Sequence, residues 1–228
     1  MRDADHSLET RPRVVSIVSY ITRVVWISLV VCVCFYVFNV DKVPDRPSLG
    51  FKTEDAFFLW HPLLMVIGFT AFATEALFAF VSHPASDSHV RGRRSWHVFC
   101  HILTLICVLG GLAGVFGSRT IEKESWLPDT PHGFLGTTAL ILYFAQVFLG
   151  ATNLLGSRGG KGKFHSFLGL SVYFIALATI VAGFVQHSAK EKEFREIARS
   201  MMPAYAVLAL LVAYHFQNWT TADQYEPL

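Results

Sequence analysis

Residues 57–81, FFLWHPLLMVIGFTAFATEALFAFV, decide how the rest of the chain is read. An apolar helix needs about 20 residues to cross the hydrocarbon core of a bilayer, and this stretch is long enough to do so. It carries two ionisable side chains, His61 near one end and Glu75 near the other, and neither is placed in lipid without cost. Trp60 favours the membrane–water boundary and Pro62 is tolerated in a first helical turn, so His61 is expected just inside the apolar slab. Gly68 returns to nearly the same face and leaves it without a side chain. A histidine above a glycine is one way for a helix to receive a flat, bulky ligand. A single histidine at a helix end is more commonly interfacial or structural, so the reading needs partners elsewhere.

Composition supports a chain embedded in a lipid bilayer. Of 228 residues 53% are hydrophobic and only 16% charged, against about 25% charged in soluble domains. A net charge of +2 with no basic stripe interleaved with aromatics gives no footing for nucleic acid. Cys32, Cys34, Cys100 and Cys107 all fall in apolar runs, where they act as small hydrophobes and form no CxxC pair.

Outward from the quoted stretch, the pattern predicts an all-α protein of six spans: a polar tail over 1–13, a membrane domain over 14–217 and a tail over 218–228. The run from Val14 to Val40 is too long for the apolar part of a signal peptide and is expected to stay as span one. Arg23 interrupts it, and would either snorkel to the near boundary or precede a span starting at Val24. Span two is the quoted stretch. Spans three to six are expected over about 96–116, 132–155, 164–185 and 201–216, and AKEKEFREIARS (189–200) as a solvated interfacial helix.

Six spans put both termini on one side. The Lys/Arg bias does not orient them, because nine basic residues fall on each side. Two further points favour cytoplasmic termini: the basic loops before His97 and His165 are short, and the opposing charges are interspersed with acids. Which membrane is occupied, endomembrane, vesicle or plasma membrane, is not written in the sequence. Nor is the oligomeric state, a homodimer being compatible with it.

Four of the ten histidines, His61, His97, His132 and His165, each stand at the start of a separate span. Parity alone then pairs His61 with His132 near one membrane face and His97 with His165 near the other. Internal repetition sharpens the pattern. HGFLG (132–136) and HSFLG (165–169) share HxFLG, with Gly136 and Gly169 one turn below their histidines, and glycine recurs eighteen residues after each histidine at Gly150 and Gly183. Fourteen residues after the histidine stand Glu75 in span two and Gln146 in span four, close to four turns on. Both are therefore expected on the histidine face, flanking the opposite pair, with Glu75 adjusting a potential or coupling a proton.

Two neutral imidazoles facing each other are too few for a structural zinc, which takes four protein ligands. They suit a six-coordinate iron porphyrin, which brings the other four nitrogens itself. Two such sites mean two haems, and bis-histidine ligation leaves no position open for oxygen, which favours electron transfer. His101 shares a face with His97, and the spacing alone does not choose between them. Two other classes remain: a membrane-anchor cytochrome serving a protein partner, and a six-span transporter using histidines and Glu75 for protons or metal.

WHPLLM (60–65), the pair His97 and His101 after basic residues, and the later His132 and His165 resemble the cytochrome b561 family of two-haem transmembrane reductases. TEAL (74–77) and the compact six-span length are closer to its small branch, the cytochrome b561 domain-containing proteins. The resemblance covers roughly residues 15–217. It implies a central four-helix bundle of spans two to five holding two b haems, with His97 rather than His101 as ligand. It further implies an oxidoreductase passing electrons from cytosolic ascorbate, or another small reductant, to monodehydroascorbate or a ferric chelate opposite. Arg94 takes the place of a basic residue assisting the anionic donor. Arg158, Lys161 and Lys163 correspond to it only as a basic loop.

Overall fold

The computed structural model describes the backbone of residues 3–38, 49–80, 87–155, 161–190 and 192–222, and the side chains of 17–38, 49–80, 92–152, 164–187 and 199–217. Every described segment with regular structure is helical. Six helices follow in order: α1 (Asp3–Phe38), α2 (Glu54–Phe78), α3 (Asp87–Glu122), α4 (Pro131–Leu155), α5 (Lys161–Lys190) and α6 (Lys192–Ala222). Each contains a stretch long and apolar enough to cross a membrane, as the hydropathy predicts.

Three boundaries differ from expectation. The basic segment before His97 continues α3 from Asp87, and the charged stretch before span six is continuous with it, α6 starting at Lys192 and running through Pro203. From Asp3 the polar N-terminal stretch belongs to α1. Residues 223–228 of the expected C-terminal tail lie outside the described residues.

α2 is the centre of the packing and is not a uniform helix. Thr53 caps its start by accepting from the Ala56 amide at 3.3 Å. The α-helix then breaks at Leu59, where Pro62 has no N–H to continue the ladder, and resumes at Trp60. Trp60 stacks on Phe51, with centroids 5.5 Å apart, and donates from Nε1 to the Gly50 carbonyl at 3.1 Å. Its amphipathic ring thus ties the end of α2 to the preceding loop. From Ile67 to Phe72 the backbone winds as a π-helix before α-geometry returns at Ala73. Such an insert adds a residue to a turn and rotates everything after it relative to everything before it.

α2 packs along α3, and α4 along α5, as two antiparallel hairpins. Between the hairpins α2 approaches α5, while α3 and α4 make little close backbone contact. α1 and α6 pack on each other and close the side of the bundle, α1 against α2 and α6 against α5. Leu29, Val33 and Val37 of α1, Leu63 and Val66 of α2, Val172 and Ala176 of α5 and Tyr205 and Leu208 of α6 fill this apolar contact. Two hydroxyl pairs cross it, Thr74 Oγ1 with Tyr173 OH at 2.7 Å and Thr70 Oγ1 with Tyr205 OH at 3.2 Å, which satisfies phenols that could not otherwise be buried there.

Candidate functional site

The four histidines meet as parity requires. His61 of α2 faces His132 of α4 with ring centroids 6.0 Å apart, and His97 of α3 faces His165 of α5 at 6.2 Å. An imidazole nitrogen binds a first-row metal at about 2.0–2.1 Å and lies about 1.2 Å from its ring centre, so two rings on either side of one ion stand about 6.4–6.6 Å apart. Both pairs are within a few tenths of an ångström of that separation. The donor set also fits a group that supplies its own equatorial ligands, because among the described residues no group of three or more His, Cys, Asp and Glu side chains converges on a point.

Each ring is held from behind. His61 Nδ1 donates to the Gly111 carbonyl at 3.1 Å, His97 Nδ1 to Ala76 at 2.9 Å and His132 Nδ1 to Thr179 at 2.9 Å. A carbonyl can only accept, so these contacts place the ring proton on Nδ1 and leave the Nε2 lone pair for a metal. His101, the competitor of His97, has its Nδ1 buried without a partner, its ring 4.5 Å from that of His97. His97 is therefore the oriented member of the two.

The anchors follow a rule that runs through the bundle. Gly111 stands fourteen residues after His97, Gln146 fourteen after His132 and Thr179 fourteen after His165, and each meets the histidine of the antiparallel neighbour. In α2 the corresponding anchor, Ala76, stands fifteen residues after His61, because the π-helical insert has taken up one. That extra residue removes Glu75 from the place its spacing predicts. Its carboxylate instead accepts from Arg23 of α1, at 2.8 Å from Nε and 2.9 Å from Nη2, and from Trp26 Nε1 at 3.3 Å. Arg23 thus lies within α1 and pairs with Glu75, and Glu75 is directed at α1, not at the histidines beside Gln146 as its spacing predicts.

The glycines also need reassignment. A Cβ on Gly68 would stand 3.0 Å from Cys107 Cβ, so this glycine serves the close approach of α2 to α3 instead of clearing a slot below His61. At Gly136 a Cβ would meet Thr179 Cγ2 at 3.4 Å, and at Gly169 it would meet Gln146 Nε2 at 2.7 Å. The space one turn below His165 is thus taken by the neighbour's side chain, while at Gly136 a Cβ would make ordinary contact. The repeated glycines further on lie directly against the rings: a Cβ on Gly183 would be 2.9 Å from His132 Cε1, and one on Gly150 3.2 Å from His165 Cε1. Each belongs to the helix opposite the ring it clears. Gly183→Ala should push the anchored His132 ring out of line and cost about 1–3 kcal/mol. Gly150→Ala should cost less, and the order is checked by comparing thermal stabilities and haem-to-protein ratios of the two purified variants.

Arg94 lies in α3 one turn before His97 and is half-buried. Arg158 lies outside the described residues, and so do the side chains of Lys161 and Lys163, whose backbone forms the first turn of α5.

A family model described as eukaryotic cytochrome b561 matches residues 60–191, a stretch that contains all four histidines. The chain belongs to the cytochrome b561 family. Within the family it is 28% identical over 148 residues to a transmembrane ascorbate ferrireductase 2 of Arabidopsis thaliana, covering 61% of each chain. It is 30% identical over 135 residues to a lysosomal membrane ascorbate-dependent ferrireductase of Bos taurus, covering 55% of this chain and 49% of that one. A probable ascorbate-specific transmembrane electron transporter 1 of Oryza sativa is 27% identical over 151 residues, with 62% of each covered. The matched region spans about three-fifths or less of these cytochrome b561 relatives. Membership implies a haem-binding membrane protein, in keeping with the six apolar helices.

Proposed function

We propose that this cytochrome b561 family member carries electrons across the membrane through two b haems, one held by His61 and His132 and the other by His97 and His165. The observation that carries the reading is the pair of iron-spaced imidazole couples on opposite sides of one bundle, at 6.0 and 6.2 Å. A b haem, when bound, supplies one-electron iron chemistry. His61 and His132 would hold one such group and His97 and His165 the other, with three of the rings oriented through the carbonyls of Gly111, Ala76 and Thr179. α1 and α6 cover one side of the bundle with apolar side chains and keep water from it.

The named activities of the relatives suggest ascorbate as donor and a ferric complex or monodehydroascorbate as acceptor, which makes the chain a transmembrane oxidoreductase. Arg94, with Arg158, Lys161 and Lys163 of the second basic loop, would raise the local concentration of an anionic donor on the His97/His165 side, which is the side of the termini. Arg94→Glu is then expected to raise KM for ascorbate about 3- to 10-fold at low ionic strength and less at high salt, with kcat little changed.

The reading is tested on the purified protein and in proteoliposomes. A reduced-minus-oxidised spectrum should show b-type haem at two per chain, and ascorbate on one face should reduce a ferric chelate on the other. A protein without haem would overturn the reading in favour of a histidine-using transporter. A haem protein that ignores small donors but turns over with a protein partner would replace it with a membrane-anchor cytochrome.

A further inference from the structure

We infer that Gln146 is a positioning residue for His165: it supplies from a side chain the Nδ1 partner that the backbone supplies to the other three histidines, so that one amide group sets the donor strength of one axial imidazole. This rests on the haem ligation proposed above. At three of the four equivalent positions the partner is a main-chain carbonyl, fixed by its own helix. At the fourth, Gln146 reaches across to α5, its Nε2 lying 2.9 Å from His165 Nδ1 and 2.6 Å from the His165 carbonyl. Gly169 makes room for it, since a Cβ there would stand 2.7 Å from that same nitrogen. The glycine of HSFLG and the glutamine on the opposite helix are two halves of one device.

The atom at that place is the amide nitrogen, because an oxygen would face the His165 carbonyl oxygen at 2.6 Å. Nδ1 of His165 is therefore an acceptor in this arrangement and the ring proton belongs on Nε2, the reverse of the other three rings. A ring that gives its Nε2 lone pair to iron must carry the proton on Nδ1, which then needs an oxygen to receive it. Gln146 Oε1 is buried and has no hydrogen-bond partner, while the residue as a whole is 7% exposed. Rotation of the amide, with the side chain drawn back from the His165 carbonyl, brings that oxygen to Nδ1. An acceptor behind an axial imidazole makes it a stronger donor, which favours ferric iron and lowers the reduction potential. Three ligands have this support permanently, and the fourth has it only when the amide is turned.

The experiment is a potentiometric titration of the haem-loaded full chain, followed by absorbance, on wild type, Gln146→Glu and Gln146→Leu. Glutamate presents an oxygen to Nδ1 whether ionised or protonated, and should lower the midpoint of one haem. Leucine fills similar space with no acceptor, and should raise it. Each shift is expected to change that haem's reduction equilibrium about 3- to 10-fold, tenfold being 59 mV for one electron, with the other haem unmoved. Loss of that haem in Gln146→Leu with retention in Gln146→Glu would also support the assignment. Shifts of the same sign in both variants, equal shifts of both haems, loss of haem in both, or no shift would overturn it. Wild-type protein lacking two haems would strike down the ligation reading instead, before any variant is compared.

Discussion

Replacing His132 by alanine is expected to leave the protein with one b haem per chain in place of the proposed two, and to cut the reduced-minus-oxidised absorbance by about half. The partner ring of His61 stands 6.0 Å away and would face an iron with one axial nitrogen missing. His165→Ala should remove the other haem in the same way, and the double variant both. Alanine is the better helix former, so α4 itself should persist and circular dichroism should change little. Transmembrane electron transfer should be lost in each single variant, because one of the two sites is gone. His101→Ala is the internal control. Its Nδ1 has no anchor, so both haems should survive its removal. Two haems in His132→Ala, or one in His101→Ala, would require the ligand set to be redrawn.

The second large effect is expected at the ion pair between α1 and α2. Arg23 lies within α1, and both its contacts to Glu75 are within 2.9 Å. Removing one partner leaves the other charge in an apolar setting without compensation. Arg23→Leu and Glu75→Leu should each cost about 2–4 kcal/mol. The double variant, which removes both charges together, should cost clearly less than the sum. Thermal denaturation in detergent of the four proteins measures this coupling. If the single effects simply add, the pair does not hold α1 to α2. The haem spectrum should be retained throughout, since Glu75 faces Arg23 and Trp26 and the His97 ring is anchored by the main chain of Ala76.

Much of this architecture is legible in the sequence because it depends on quantities that are local. Span number follows from run length, and the pairing of His61 with His132 and of His97 with His165 follows from parity, which survives any error in helix phase. What sequence reading missed depends on phase or on a neighbour. Comparing Glu75 with Gln146 assumes uninterrupted α-geometry in α2, and nothing in IGFTAF announces that Ile67–Phe72 winds differently. The glycines at 68, 136 and 169 are visible, but what each makes room for is decided by the opposing helix. One signal was available and unused: Gly111, Gln146 and Thr179 all stand fourteen residues after a histidine.

The wider turn of α2 acts as a phase shifter between the two ends of one helix. Were Ile67–Phe72 to wind as α-helix with every residue kept, the segment beyond it would turn by about 100° and neighbouring positions would exchange duties, bringing Glu75, which like Gln146 stands fourteen residues after a histidine, and its carboxylate to the place where the Ala76 carbonyl now receives the His97 proton. A neutral brace would become an anionic one, the imidazole would gain electron-donating power, and α1 would lose its tether. The donor strength of the His97 imidazole and the attachment of α1 are therefore geared together through one surplus residue.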